Sequence, residues 1–248
     1  MAVSSQSARI PTQLKVNDHH MNTTPPPLPT TADLSDLAAR LFQDGSTKLR
    51  LMQKYRPYIC PFDLLIQYVP QGANMLDVGC GGGLFLGLLA GLDHIKSGHG
   101  FDTSEAAIGT AQKMADRAQA SGHETNLLFE VRSADAAWPE DTYDVVSLID
   151  VMHHVPPLAH QKVIENAIQR VNPGGKFIYK DMCQRPLWRA IANRMHDIVL
   201  AQEWINYLDM EKVRQWGINQ GLTIEHESTT NLFWYGHELT VFTKPLVD

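Results

Sequence analysis

Four glycines fall within five positions at Gly79, Gly81, Gly82 and Gly83, directly after the short apolar run Met75, Leu76 and Val78 that Asp77 interrupts. A helix-like run follows from Leu84 to Leu92. An apolar strand, a glycine turn and the start of a helix make the first strand-to-helix unit of an α/β sheet. Glycine is required where backbone turns sharply, or where a ligand approaches it with no Cβ in the way. The helix start just beyond offers free N–H groups and a partial positive charge. The pattern therefore predicts a small-molecule site at the carboxyl edge of the first strand.

Composition narrows the class. A chain of 248 residues can bury one large core, or one domain with an appended lid, and its 44% hydrophobic and 19% charged residues are an ordinary globular balance. The net charge of −6, with no long basic run, argues against sequence-independent nucleic-acid binding. Three scattered cysteines fit a reducing compartment better than a disulfide frame, and no Cys/His spacing suggests a metal site. No apolar run is long enough to span a bilayer and no secretory signal is evident, so the expected location is cytoplasmic.

Residues 1–32 read as a disordered, Pro-rich tail, and 33–248 as one domain. Helices are predicted over 33–56, with Asp33 or Ser35 as cap and Gly45 breaking the run, and from Pro61 to Val69; the second helix should end near Pro57. Together they make a group of N-terminal helices over 33–69. Ser97 to Asp102 is a second strand, followed by a helix capped by Thr103 or Ser104 and closed by Gly122. Leu127 to Val131 and Val145 to Ile149 are further strands, the latter apolar on both faces. Asn172-Pro173-Gly174-Gly175 is a turn leading to a fifth strand, Lys176 to Asp181, whose end places Lys180 and Asp181 near the pocket. Residues 183–216 carry Leu187, Trp188, Ile191, Met195 and Ile198 at helical spacing and read as lid helices, with Arg185, Arg189 and His196 on an adjoining stripe. Two last strands begin at Leu222 and Glu238, joined by a linker holding Phe233, Trp234, Tyr235, Gly236 and His237.

The glycine run departs from the dinucleotide fingerprint, whose third glycine would fall at Leu84. With Asp77 it reads D-x-G-x-G-x-G, which resembles the first motif of class I S-adenosylmethionine (SAM)-dependent methyltransferases. Asp102 at the end of strand two, Asp135 after strand three, and Asp150-Val151-Met152-His153-His154-Val155 after strand four resemble the later landmarks of that family in the same order. The resemblance covers residues 70–182 well and 221–245 in outline. It implies a three-layer α/β fold with a seven-stranded, mostly parallel, Rossmann-like sheet, an antiparallel last strand and a helical lid.

It also implies SAM as cofactor. Asp77 would hold the methionine ammonium, with Gly79, Gly81 and Gly83 running along the methionyl and ribose parts. Asp102, with Thr103 beside it, would take the ribose hydroxyls, because a carboxylate accepts from both. Asp135 would accept from the adenine amine, with Ala134 and Ala136 as backbone contacts, and Trp138 belongs to the core. Asp150 and Ile149 would border the methionine part, and Tyr55 and Arg56 lie where the SAM carboxylate is met. The implied reaction is in-line attack by a small-molecule acceptor, a partly apolar metabolite with an oxygen nucleophile. His154, His153 and His196 are the candidate bases, since imidazole titrates near neutrality. The alternatives are a dinucleotide-dependent oxidoreductase and a SAM-binding protein that transfers no methyl group. The acceptor's identity and the oligomeric state are left open.

Overall fold

The structure is a computed structural model, and it describes residues 28–134, 136–182, 208–232 and 235–246. The helices predicted over 183–207, with His196, and the residue Asp135 lie outside the described residues.

Seven strands form one sheet in the order β3-β2-β1-β4-β5-β7-β6. They are β1 (Ala73–Val78), β2 (Ile95–Asp102), β3 (Asn126–Val131), β4 (Tyr143–Ile149), β5 (Val171–Met182), β6 (Thr223–Leu232) and β7 (Tyr235–Thr243). β1 to β5 pair in parallel, and β7 lies antiparallel between β5 and β6. This is the expected fold class. Strand order reverses beside β1, and ligands of open α/β sheets bind outside the carboxyl ends at that switch point.

The strands sort their side chains by period two. Met75, Val145 and Ile178 join a core with α1 (Thr31–Leu41), α3 (Phe62–Ile66), α4 (Leu84–Gly91) and α5 (Glu105–Ala120). Leu76, Val146 and Phe177 face the opposite core with α6 (His160–Gln169) and the Met210–Asn219 helix, α7. Trp138 packs in this second core, edge-on to Phe101, with Nε1 donating to the Ala134 carbonyl.

Several expected boundaries move. Thr30, rather than Asp33 or Ser35, caps α1: its hydroxyl accepts from the Asp33 N–H while Asp33 accepts from the Thr30 N–H, a reciprocal capping box. Ser104, rather than Thr103, caps α5. Helix α2 (Thr47–Ile59) does not stop near Pro57 but runs through it. Proline there removes only the N–H that would meet the Gln53 carbonyl, and the Cys60 N–H still closes the last turn on Arg56. The Asn172–Gly175 turn loops out within β5, whose pairing steps from Tyr143↔Val171 to Val145↔Lys176. Tyr235 to His237 belong to β7 rather than to a linker.

The lid expected over 183–216 also changes at its end. Leu208 and α7 pack with α6 against the sheet, with Val213 fully buried beside Phe242, so this part is a layer helix.

Candidate active site

At the carboxyl edge, two adjoining clefts of about 300 and 680 Å3 share Gly79, Asp102, Val151 and His154. Asp77, Arg56 and Asp150 line the first, while Thr103, Arg132 and Ser133 line the second.

Asp77 stands where strand alternation calls for a core residue, and it is 4% exposed. The β1–β4 register sets it opposite Ser147, whose hydroxyl donates to its Oδ1 at 2.5 Å. Burial pushes the Asp77 carboxyl up to about 7; the Ser147 hydrogen bond opposes that rise and Asp102 adds to it. An acid held this way fits a ligand carrying an ammonium group, because a nearby cation restores the charge that burial disfavours. Ser147 has no motif signature and was missed from sequence; its period-two match to Asp77 across the sheet is visible only once the register is known.

The glycine loop divides its work. A Cβ on Gly79 would lie 2.2 Å from Val151 Cγ2, so this glycine admits the Val151 turn rather than a ligand. Gly81, at φ +53°, meets nothing within 4 Å, and its N–H donates to Asp102 Oδ2 at 2.9 Å. It leaves an open cradle between Asp77 and Asp102. Gly83, at φ +77°, is the N-cap residue of α4, closed off by Phe129 and Ala111, and contributes to the turn and not to the cleft surface. Asp102 Oδ1 accepts from the Ser104 N–H, so both oxygens are aimed by backbone before any ligand arrives.

At the end of β4, Asp150 adopts φ +54°, a left-handed conformation tolerated by Asp. Lys180 Nζ donates to both its oxygens at 2.6 and 2.7 Å, and Arg56 reaches one at 2.9 Å. Burial opposes ionisation of Asp150, but the Lys180 ammonium and Arg56 guanidinium outweigh it and hold the carboxyl well below the usual range. Lys180 and Asp181, expected to face the pocket, are instead 1% and 5% exposed. Lys180 clamps Asp150 from within, and Asp181 Oδ1 accepts from His153 Nδ1 at 2.6 Å. His237 lies in the same cluster; burial and the Lys180 charge push it down to about 3. The cluster therefore holds an uncharged His237 imidazole at neutral pH beside the ionised Asp150 carboxylate.

Of the candidate bases, His153 is buried on Asp181 and does not line the cleft, whereas His154 is exposed and lines both clefts. The two rings sit 4.1 Å apart. Arg56 lines the smaller cleft, whereas Tyr55 points outward at 53% exposure. Ala134 lines the larger cleft; Ala136 does not, and its N–H already donates to the Ser133 carbonyl. Gln53, Met52 and Phe62 line the smaller cleft and were missed from sequence. Gln53 carried one signal, as a polar residue on the same helical face as Pro57, the two buried positions of α2.

The chain is similar in sequence and in fold to known methyltransferases. A family profile described as a methyltransferase domain matches residues 51–227. A ubiquinone biosynthesis O-methyltransferase of Coxiella burnetii is 32% identical over 113 residues, 46% of this chain and 45% of that protein. Its counterpart in Cronobacter sakazakii is 26% identical over 175 residues, 65% of this chain and 66% of that protein. The match thus spans about half the length of the first of these relatives. A magnesium protoporphyrin IX methyltransferase from Synechocystis, solved with bound S-adenosylhomocysteine, superposes with a TM-score of 0.61 at 19% identity, covering 84% of this chain and 93% of that one.

Proposed function

The chain belongs to the methyltransferase-domain family, and from that premise we propose that it transfers a methyl group from SAM to a hydroxyl of a small, partly apolar acceptor. The observation that carries this reading is the exposed His154 imidazole at the junction of the two clefts, between the Asp77–Gly81–Asp102 cradle and the larger groove. The cradle fits SAM in kind: a buried carboxyl for an ammonium, an open glycine backbone, and an oriented carboxylate for a diol. When bound there, SAM supplies an already activated sulfonium methyl.

What remains for the chain is alignment, desolvation and proton removal. Asp77 takes the ammonium end. Asp102, fixed by the Gly81 and Ser104 N–H groups, takes the ribose hydroxyls. The Asp150–Lys180–Arg56 group holds the rim of the methionine-side cleft rigid. His154 accepts the acceptor's proton, and Asp181 holds His153 in place behind it. Asp135, outside the described residues, keeps its proposed role at the adenine amine. The oxygen nucleophile is supported by the O-methyltransferase names of the relatives and by the presence of a base at the junction.

The test is methyl transfer from labelled SAM to a panel of phenols and other alcohols, with His154→Ala compared with the parent chain. The expected result is a fall in kcat on the order of 100-fold, with SAM affinity changed by less than about threefold. Retained turnover in the variant removes His154 as base; tight SAM binding with no transfer across the panel supports a non-catalytic SAM-binding protein.

A further inference from the structure

Helix α2 is built inside out. Its buried positions are Gln53 and Pro57, while Leu51, Met52, Tyr55 and Tyr58 are 49%, 55%, 53% and 37% exposed. The spacing i, i+1, i+4, i+7 puts these four on one stripe, directed away from the core. Around the stripe are Lys48, Arg50 and Lys54, with Arg56 turned instead to Asp150, and the segment Thr47–Ile59 holds no acidic residue, in a chain of net charge −6. Lys48 and Arg50 sit in the first turn, where cations oppose the helix dipole, so their placement works against the helix itself. Tyr55 and Tyr58 stand 6.2 Å apart, with Lys54 Nζ 5.6 Å from the Tyr55 ring centre.

Apolar and tyrosine side chains in a stripe edged by cations match the layered chemistry of a bilayer interface, where acyl chains meet glycerol and anionic headgroups. No helix among the described residues is long and apolar enough to cross a membrane, so the fitting mode is one that lies on the surface. Met52 belongs both to the stripe and to the cleft wall, and Gln53 and Arg56 also line that cleft. We propose that α2 docks this protein on anionic lipid surfaces, inserting Leu51, Met52, Tyr55 and Tyr58 and turning the cleft mouth toward the headgroups. The inference rests on the helix alone and does not require the methyl-transfer reading.

The test is co-sedimentation of the full chain with vesicles of equal parts phosphatidylglycerol and phosphatidylcholine, against phosphatidylcholine alone, at low and high salt. Light scattering reports the oligomeric state in parallel. The expected result is binding to the anionic vesicles that weakens with salt. Lys48→Glu with Arg50→Glu should lower partitioning by more than about tenfold, from roughly fivefold per removed cation. Leu51→Glu with Tyr58→Glu should abolish it. These side chains are exposed, so unchanged thermal unfolding and unchanged SAM affinity should accompany both changes. Absence of binding to anionic vesicles, binding indifferent to either pair of substitutions, or a dimer that Leu51→Glu dissociates would each overturn the proposal, the last by assigning the stripe to a second copy of the chain.

Discussion

At the scale of single residues, Asp77 is the most informative. Its folded carboxyl titrates near 7, against about 3.8 unfolded, so between these values the folded state binds the extra proton. That contribution is fully present below pH 3.8 and is lost as pH rises through 7. Asp77→Asn should therefore stabilise the ligand-free protein at pH 8, on the order of 2 kcal/mol, with the gain shrinking toward pH 4, as thermal unfolding across pH would report. The same substitution should weaken SAM binding by roughly tenfold or more, the loss of one charge-assisted contact. In the parent chain, affinity should drop by up to about tenfold per pH unit below 7, because an ammonium ligand needs the ionised acid; in Asp77→Asn that slope should vanish. A second prediction concerns Gly79. With Val151 Cγ2 2.2 Å from its would-be Cβ, Gly79→Ala must displace the turn that carries His154. Turnover should fall along with stability, whereas Gly81→Ala, in open space in the ligand-free chain, should cost stability only the left-handed backbone penalty of about 1–2 kcal/mol while its new Cβ, standing in the cradle, weakens SAM binding.

At the scale of elements, the rim of the site depends on how β4 and β5 end together. Lys180 of β5 neutralises Asp150, the residue just after β4, and Arg56 of α2 adds the third charge. Lys180→Met leaves a buried carboxylate short of its main partner and should destabilise the fold by about 3 kcal/mol, measured by denaturant unfolding. Adding Asp150→Asn should recover most of that loss, since asparagine tolerates the φ of +54° and removes the stranded charge. The sequence made the elements themselves legible, because β1 to β5 alternate with amphipathic helices and glycine or proline turns. It placed Asp102 and Asp150 at strand ends correctly. It could not tell that Lys180 and Asp181 turn inward, because strand direction alone does not say which face a terminal residue takes. Nor could it anticipate that α2 runs through Pro57, where the loss of one hydrogen bond near a helix end is outweighed by burial of Pro57 and Gln53 against the body.

At the scale of the whole molecule, the buried groups set opposing pH responses. His237 is pushed down to about 3 from its usual 6.5, so acidification through that window favours the unfolded chain, which takes the proton the folded one refuses. Asp77 pulls the other way between 3.8 and 7. Their slopes nearly cancel from pH 4 to 6.5, and removing Asp77 should expose the His237 response, a loss approaching 1.4 kcal/mol per pH unit in Asp77→Asn relative to the parent chain. The seven-stranded sheet with an antiparallel last strand was implied by the family resemblance that the order of motifs carries, and the sheet has that form. What the motifs left open was the acceptor side of the site, because cleft-lining residues outside the motifs, such as Met52 and Gln53 of α2, are set by packing rather than by a motif. The account as a whole turns on which small molecule the glycine loop receives, and calorimetric titration of the full chain with SAM and, separately, with NAD decides it. The account predicts saturable SAM binding that S-adenosylhomocysteine displaces and that Asp102→Ala weakens strongly in a folded protein, with no NAD binding; tight NAD binding without SAM binding would contradict it.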